Sequence, residues 1–318
     1  MSIVERVAEL LGPIERAGSK SAAPSEPVHI ERAATKSVDA AQFPEARERT
    51  AQREADDLAA ALKATATLVQ STRKPSAPSI YRIDRSHLRR QGIVTPDDER
   101  TPNGESFRRI KSQILDNVTR SKPGELANLV LVTSSLPQEG KTFCAVNLAI
   151  SMALERDRTV LLVDADVAQP SVPKALGLKV DRGLMDVLID RRIDLAEVLC
   201  KTDIGKLMFL PAGTAHQHST ELLASDAMRL LLQEMAERYH DRIILFDSPP
   251  LLAASEASVL ASQMGQIIIV VEAGKTPEAA LKAALGRIEA SNVTGLLLNK
   301  GEDPGLRYHY GEYGKLAK

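Results

Sequence analysis

The stretch SSLPQEGKT, residues 134–142, joins the apolar run NLVLVT (128–133) to the helical pattern FCAVNLAISMALE. A glycine, a lysine and a hydroxyl residue in succession between a strand and a helix suit a phosphate-binding loop. Backbone N–H groups and the positive end of the helix would cradle phosphates. Lys141 would reach the β/γ oxygens and Thr142 would hold Mg²⁺. The same sequence also reads as an ordinary strand-to-helix turn with a surface lysine. It departs from the G-x-x-x-x-G-K-[ST] pattern at its first position, Ser135, and Gln138 stands where related loops often carry glycine.

Two acidic sites follow other apolar runs. Asp164 and Asp166 lie in VLLVDADVAQPSV, and Asp247 closes RIILFD before Ser-Pro-Pro. Carboxylates at the carboxyl ends of buried strands can hold hydrated Mg²⁺, and one can accept a proton from an attacking hydroxyl. A single aspartate there would more simply cap a helix. Three of them beside a phosphate loop point to metal and base roles.

These residues need a scaffold that gathers strand ends. NLVLVT, TVLLVD (159–164), LMFLP (207–211), IILFD (243–247), IIIVV (267–271) and GLLLN (295–299) alternate with helical patterns. Such alternation predicts an α/β fold, a doubly wound and mostly parallel sheet with helices on both faces. Ligands bind such sheets outside the carboxyl ends of the strands. GESFRRIKSQIL (104–115) reads as an amphipathic helix, and RSHLRR and TPDDE precede it as a basic segment and a turn. Glu105, Arg108 and Lys111 recur at three-residue spacing on that helix, as either a solvated charged face or a contact surface.

Composition sets the outer limits. The 318 residues are 43% hydrophobic, enough for one large domain or two modest ones, and 41 basic against 42 acidic residues give no overall field that points to nucleic acid. The longest apolar run, IIIVV, is far short of a membrane span, so a soluble chain is expected. Cys144 and Cys200 show no metal-type pairing, and Cys144 reads as a small buried thiol. The expected domains are 1–80, a short helix over residues 1–12 and a largely disordered linker rich in Ala, Ser, Pro, Glu and Arg; 81–307, the phosphate-loop domain; and 308–318, a flexible tail. That tail, YHYGEYGKLAK, holds Tyr308, Tyr310 and Tyr313, three of the five tyrosines. It is either a frayed end or a segment presenting phenol hydroxyls for modification.

TSSLPQEGKT, LLVDADVAQPS, ILFDSPP, LLLNK and the terminal tyrosines together closely resemble the bacterial tyrosine kinases over residues 100–318. MSIVERVAELLG and GIVTPDDER look most like the exosortase-associated autokinase branch of exopolysaccharide loci. The resemblance implies a P-loop NTPase-like fold and an ATP- and Mg²⁺-dependent, non-specific protein-tyrosine kinase that phosphorylates its own tail. ATP would lie on Ser135, Gln138, Glu139, Gly140, Lys141, Thr142 and Phe143, with Asn299 at the adenine. Lys141, Asp164, Asp166 and Asp247 would be catalytic, Asp164 as the base, with Thr142, Asp166 and Asp247 on the metal. Tyr308, Tyr310 and Tyr313 would be the phosphoacceptors.

Glu105, Arg108 and Lys111 match the family's E-x₂-R-x₂-R subunit contact, except that a lysine replaces the last arginine and cannot copy its bidentate fork. Implied partners are further copies of the chain, a membrane polysaccharide chain-length protein as activator and a cognate tyrosine phosphatase. The chain would then work in the cytoplasm at the membrane's inner face. Two readings compete: a partitioning-type ATPase switch, whose loops carry an extra lysine where this chain has Leu136, and a scaffold that only binds nucleotide.

Overall fold

The computed structural model describes residues 80–98, 101–122, 124–155, 157–238, 242–288 and 293–301. The expected helix over 1–12, the linker and the tyrosine tail lie outside them.

The apolar runs form the strands that their composition demands. Strands β2 (Leu129–Ser134), β3 (Thr159–Asp164), β6 (Arg242–Asp247) and β7 (Gln266–Glu272) are almost wholly buried along their length. Burial on both faces explains why they read as continuous Val/Ile/Leu runs without alternation. Strand β5 (Leu207–Leu210) continues the sheet beyond β3, and β8 (Val293–Asn299) forms its half-exposed edge. Two short strands without an apolar signal, β1 (Ile80–Tyr81) and β4 (Cys200–Thr202), complete the order β1-β4-β5-β3-β6-β2-β7-β8. All neighbours are parallel except β4 and β5.

Helices pack on this sheet. The basic segment RSHLRR is α1 (Arg85–Arg90), and α2 (Pro102–Arg120) extends beyond the expected 104–115 at both ends. Its start is set by Thr101, whose side chain accepts from Gly104 N, and by Pro102 at a position where a missing N–H costs nothing. Helix α3 (Lys141–Ala153) is buried from Cys144 onward, so its apolar residues run all round it rather than along one stripe. Asn147 is its one fully buried amide. It accepts from Val94 N and donates to Phe143 O, each at 2.8 Å, which fastens the segment after α1 to the centre of the domain. The remaining helices are α4 (Val172–Leu176), α5 (Leu184–Ile189), α6 (Leu195–Val198), α7 (Ser219–Leu223), α8 (Asp226–Arg238), α9 (Ser255–Ala261) and α10 (Glu278–Leu285).

The strand register sets the chemistry side by side. Asp164 and Asp247 are direct partners at the carboxyl ends of β3 and β6, and Val132, just before the phosphate loop, is paired with Asp247 on the other side. Glu272 and Asn299 pair in the same way at the ends of β7 and β8.

Candidate nucleotide and metal site

The loop from Ser135 to Gly140 leaves β2 and enters α3 with two residues in the left-handed region. Gln138 has φ +68° and Gly140 φ +92°. The first explains why related loops favour glycine there, since a side chain in this conformation carries strain of about 1 kcal/mol. At Gly140 the requirement is also steric: a Cβ would lie 2.1 Å from the Asn299 amide nitrogen.

The Lys141 ammonium, at the first position of α3, bonds the Asp166 carboxylate at 2.9 Å, and both side chains are almost fully buried. Asp166 is further fixed by accepting from Gln169 N. Asp247 is completely buried, and neither of its oxygens has a hydrogen-bond partner within ordinary geometry. Burial pushes it up to about 6 against the pull of Lys141 and of the nearby Thr142 hydroxyl. Asp164 is equally buried and is pushed up to about 8, first by burial and then by Asp247. Its oxygens accept from Ser171 N, Val172 N and Asp166 N, so it also shapes the turn that carries Asp166.

An orphaned buried carboxylate is costly unless a cation completes it. Asp247, with Asp166 and the Thr142 hydroxyl beside it, fits a hydrated Mg²⁺, which needs only one or two carboxylates and takes its other ligands from water and phosphate. Among the described residues there is no group of three or more His, Cys, Asp or Glu that could hold a metal by itself.

Other expected site residues occupy different positions. The Glu139 side chain is buried and turned into the loop, where it accepts from Leu136 N at 2.7 Å and from the Thr276 hydroxyl. Phe143 packs edge-on against Phe107 of α2, so its ring belongs to the core. Asn299 donates to Glu139 O at 2.9 Å, which commits its amide nitrogen to the loop backbone. Ser135 is wholly buried, with a hydroxyl that has no partner.

The set on α2 divides. Arg108 pairs with Glu105 at 2.8 Å on the outer side, whereas Lys111 is only 8% exposed and donates to Ser151 O while pairing with Glu155. Lys111 is therefore a contact within the chain, not part of an exposed triad. Residues three apart on a helix drift round its axis, and the third falls against α3. Cys144, pushed up to about 12 chiefly by burial, is the inert thiol that its helical setting suggests.

Sequence reasoning missed Thr276 and Lys300, which bond the loop, and Glu272 at the end of β7, which supports both of them. The only available signal was their position just after apolar runs.

Residues 138–292 match the family model described as an AAA domain. Over 236 residues the chain is 29% identical to the tyrosine-protein kinase YwqD of Bacillus subtilis, covering 73% of this chain and 95% of that protein. It is 30% identical over 174 residues to the tyrosine-protein kinase Ptk of Acinetobacter johnsonii, covering 54% of this chain but 23% of that protein. Relatives of the second kind are thus several times longer than the part that the chain matches. Among solved structures, the VpsO kinase domain superposes with a TM-score of 0.54 at 26% identity, covering 65% of this chain and the whole of that one.

Proposed function

We propose that this chain, which belongs to the bacterial tyrosine kinases, is an ATP- and Mg²⁺-dependent tyrosine autokinase that phosphorylates Tyr308, Tyr310 and Tyr313. The observation that carries the reading is the Lys141–Asp166 ion pair beside the unpartnered Asp247, at the entrance to a left-handed phosphate loop.

Bound ATP supplies the transferable phosphoryl group, and Mg²⁺ offsets the charge that develops on it. Lys141 would leave Asp166 to hold the phosphate oxygens at the mouth of α3, and Thr142, Asp166 and Asp247 would hold the metal. Asp164 takes the proton from the tyrosine hydroxyl; a carboxylate raised toward 8 is a stronger base than an ordinary one, and its three backbone contacts keep it in place. The first turn of α3 adds N–H groups that have no acceptor within their own helix.

A tyrosine must bring its hydroxyl into an active site, which suits acceptors in a Gly-containing segment. We place transfer between copies of the chain, with the Glu105 and Arg108 side of α2 as the contact. Asn299, held at the loop by its bond to Glu139 O, would present its free amide oxygen to the adenine. The process served is exopolysaccharide synthesis or export. The activator is a membrane chain-length protein that recruits the kinase to the inner face of the membrane, and a tyrosine phosphatase reverses the reaction. Among the described residues no helix is long and apolar enough to cross a membrane.

Incubation of the purified chain with ATP and Mg²⁺, followed by detection with a phosphotyrosine antibody, tests the proposal. Labelling that EDTA abolishes is expected. ATP hydrolysis without phosphotyrosine would favour the partitioning-type switch.

A further inference from the structure

Two consecutive peptide units of the phosphate loop are held from outside by the end of β8. The carbonyl of Gln138 accepts from the Lys300 ammonium and that of Glu139 from the Asn299 amide, each at 2.9 Å. Lys300 is in turn paired with Glu272 at 3.1 Å. The third tie runs through side chains. Glu139 is 2% exposed; one oxygen accepts from Leu136 N within the loop and the other from the Thr276 hydroxyl, which itself accepts from Glu272 N at 2.9 Å.

In a trans peptide the N–H points opposite to the C=O. Fastening the carbonyls of residues 138 and 139 outward therefore turns the N–H groups of Glu139 and Gly140 to the opposite side, where an anion can accept from both. The ties also fix Gln138 in a left-handed conformation that glycine would adopt without help.

We propose that Glu139 and Thr276 are positioning residues for nucleotide binding: they form a brace that holds the loop's N–H groups ready for phosphate without touching the nucleotide. The proposal rests on the nucleotide-binding reading above and adds the device that sets its affinity. Thr276 stands between β7 and α10 and has no place in the P-loop pattern. Glu139 is inside that pattern at a variable position, and its carboxylate acts on the loop rather than on ATP. Preorganisation of this kind lowers the dissociation constant of the nucleotide because ordering need not occur on binding.

The test is a titration of the purified full chain with a fluorescent ATP analogue and Mg²⁺, alongside phosphotransfer rates. Thr276→Val keeps the shape of the side chain and removes the hydroxyl. It is expected to raise Kd and KM for ATP about tenfold, on the scale of one lost hydrogen bond to a charged group, while kcat at saturating ATP stays within about threefold. Glu139→Ala is expected to weaken binding about thirtyfold, and Glu139→Gln, which can accept from Leu136 N and donate to Thr276, to recover it to within about threefold of wild type. Tight wild-type binding with an unchanged Kd in Thr276→Val would overturn the brace alone. A wild type that binds no nucleotide would overturn the brace and the proposed function together.

Discussion

The Lys141 ammonium and the Asp166 carboxylate, 2.9 Å apart and nearly enclosed, hold each other at the carboxyl end of the sheet, and the proposed function gives each a second partner. Nucleotide must then take Lys141 from Asp166, which leaves the carboxylate in need of another cation. A metal ion arriving with the phosphates meets that need, so ATP and Mg²⁺ should bind cooperatively.

Asp166→Asn should uncouple the two. With the competing charge gone, binding of metal-free ATP is expected to tighten by about threefold to tenfold, while Mg²⁺ no longer enhances it and tyrosine transfer is lost. Titration of wild type and variant with a fluorescent ATP analogue, with and without Mg²⁺, measures this. Equal enhancement by Mg²⁺ in both proteins would remove Asp166 from the metal site.

The buried aspartates also predict a pH dependence. Asp247 ionises at about 6 and Asp164 at about 8 in the folded chain, above the ordinary 3.8. Between 3.8 and those values the folded state holds protons that the unfolded state has released, so stability falls as pH rises through that window. Asp247→Asn removes one of the two groups. The decline in Tm of the nucleotide-free protein between pH 4 and 6 is expected to become shallower, and Mg²⁺ with ATP should no longer raise Tm. An unchanged slope in thermal melts across this range would mean that Asp247 is already paired.

Lys111 illustrates what spacing alone could not resolve. Its ammonium serves Ser151 O and Glu155 against α3. Lys111→Met is therefore expected to cost about 1–3 kcal/mol of stability, through unpaired groups left at a buried site, while leaving self-association intact. Charge reversal at both Glu105 and Arg108 should do the opposite, weakening assembly with little change in Tm. Thermal melts and light scattering on the same samples separate the two effects, and a Lys111→Met protein that melts like wild type would refute its structural role.

The central sheet was legible because strands buried on both faces must be apolar throughout; β2, β3, β5, β6 and β7 fall on such runs, and the half-exposed edge strand β8 still carries the run GLLLN. Strands β1 and β4 were not, since strands of two or three residues carry no periodic signal. The phosphate loop and its aspartates were legible because each needs a particular residue type at a strand end. The brace was not, because Thr276 and Lys300 act only through their position beside the loop, 137 and 162 residues away in sequence from the groups they hold. Sequence likewise placed Glu105, Arg108 and Lys111 on one helix but could not say which side of that helix meets α3.

Mass-spectrometric quantification of phosphotyrosine in wild type and Lys141→Met, after incubation with ATP and Mg²⁺, tests the central claim most directly. Loss of the ammonium that holds and stabilises the transferring phosphoryl group is expected to reduce phosphate on Tyr308, Tyr310 and Tyr313 by about a thousandfold or more, in a variant whose folding is verified by its melting transition. Near-wild-type phosphate on those tyrosines in a folded Lys141→Met protein, or none on them in the wild type, would contradict it.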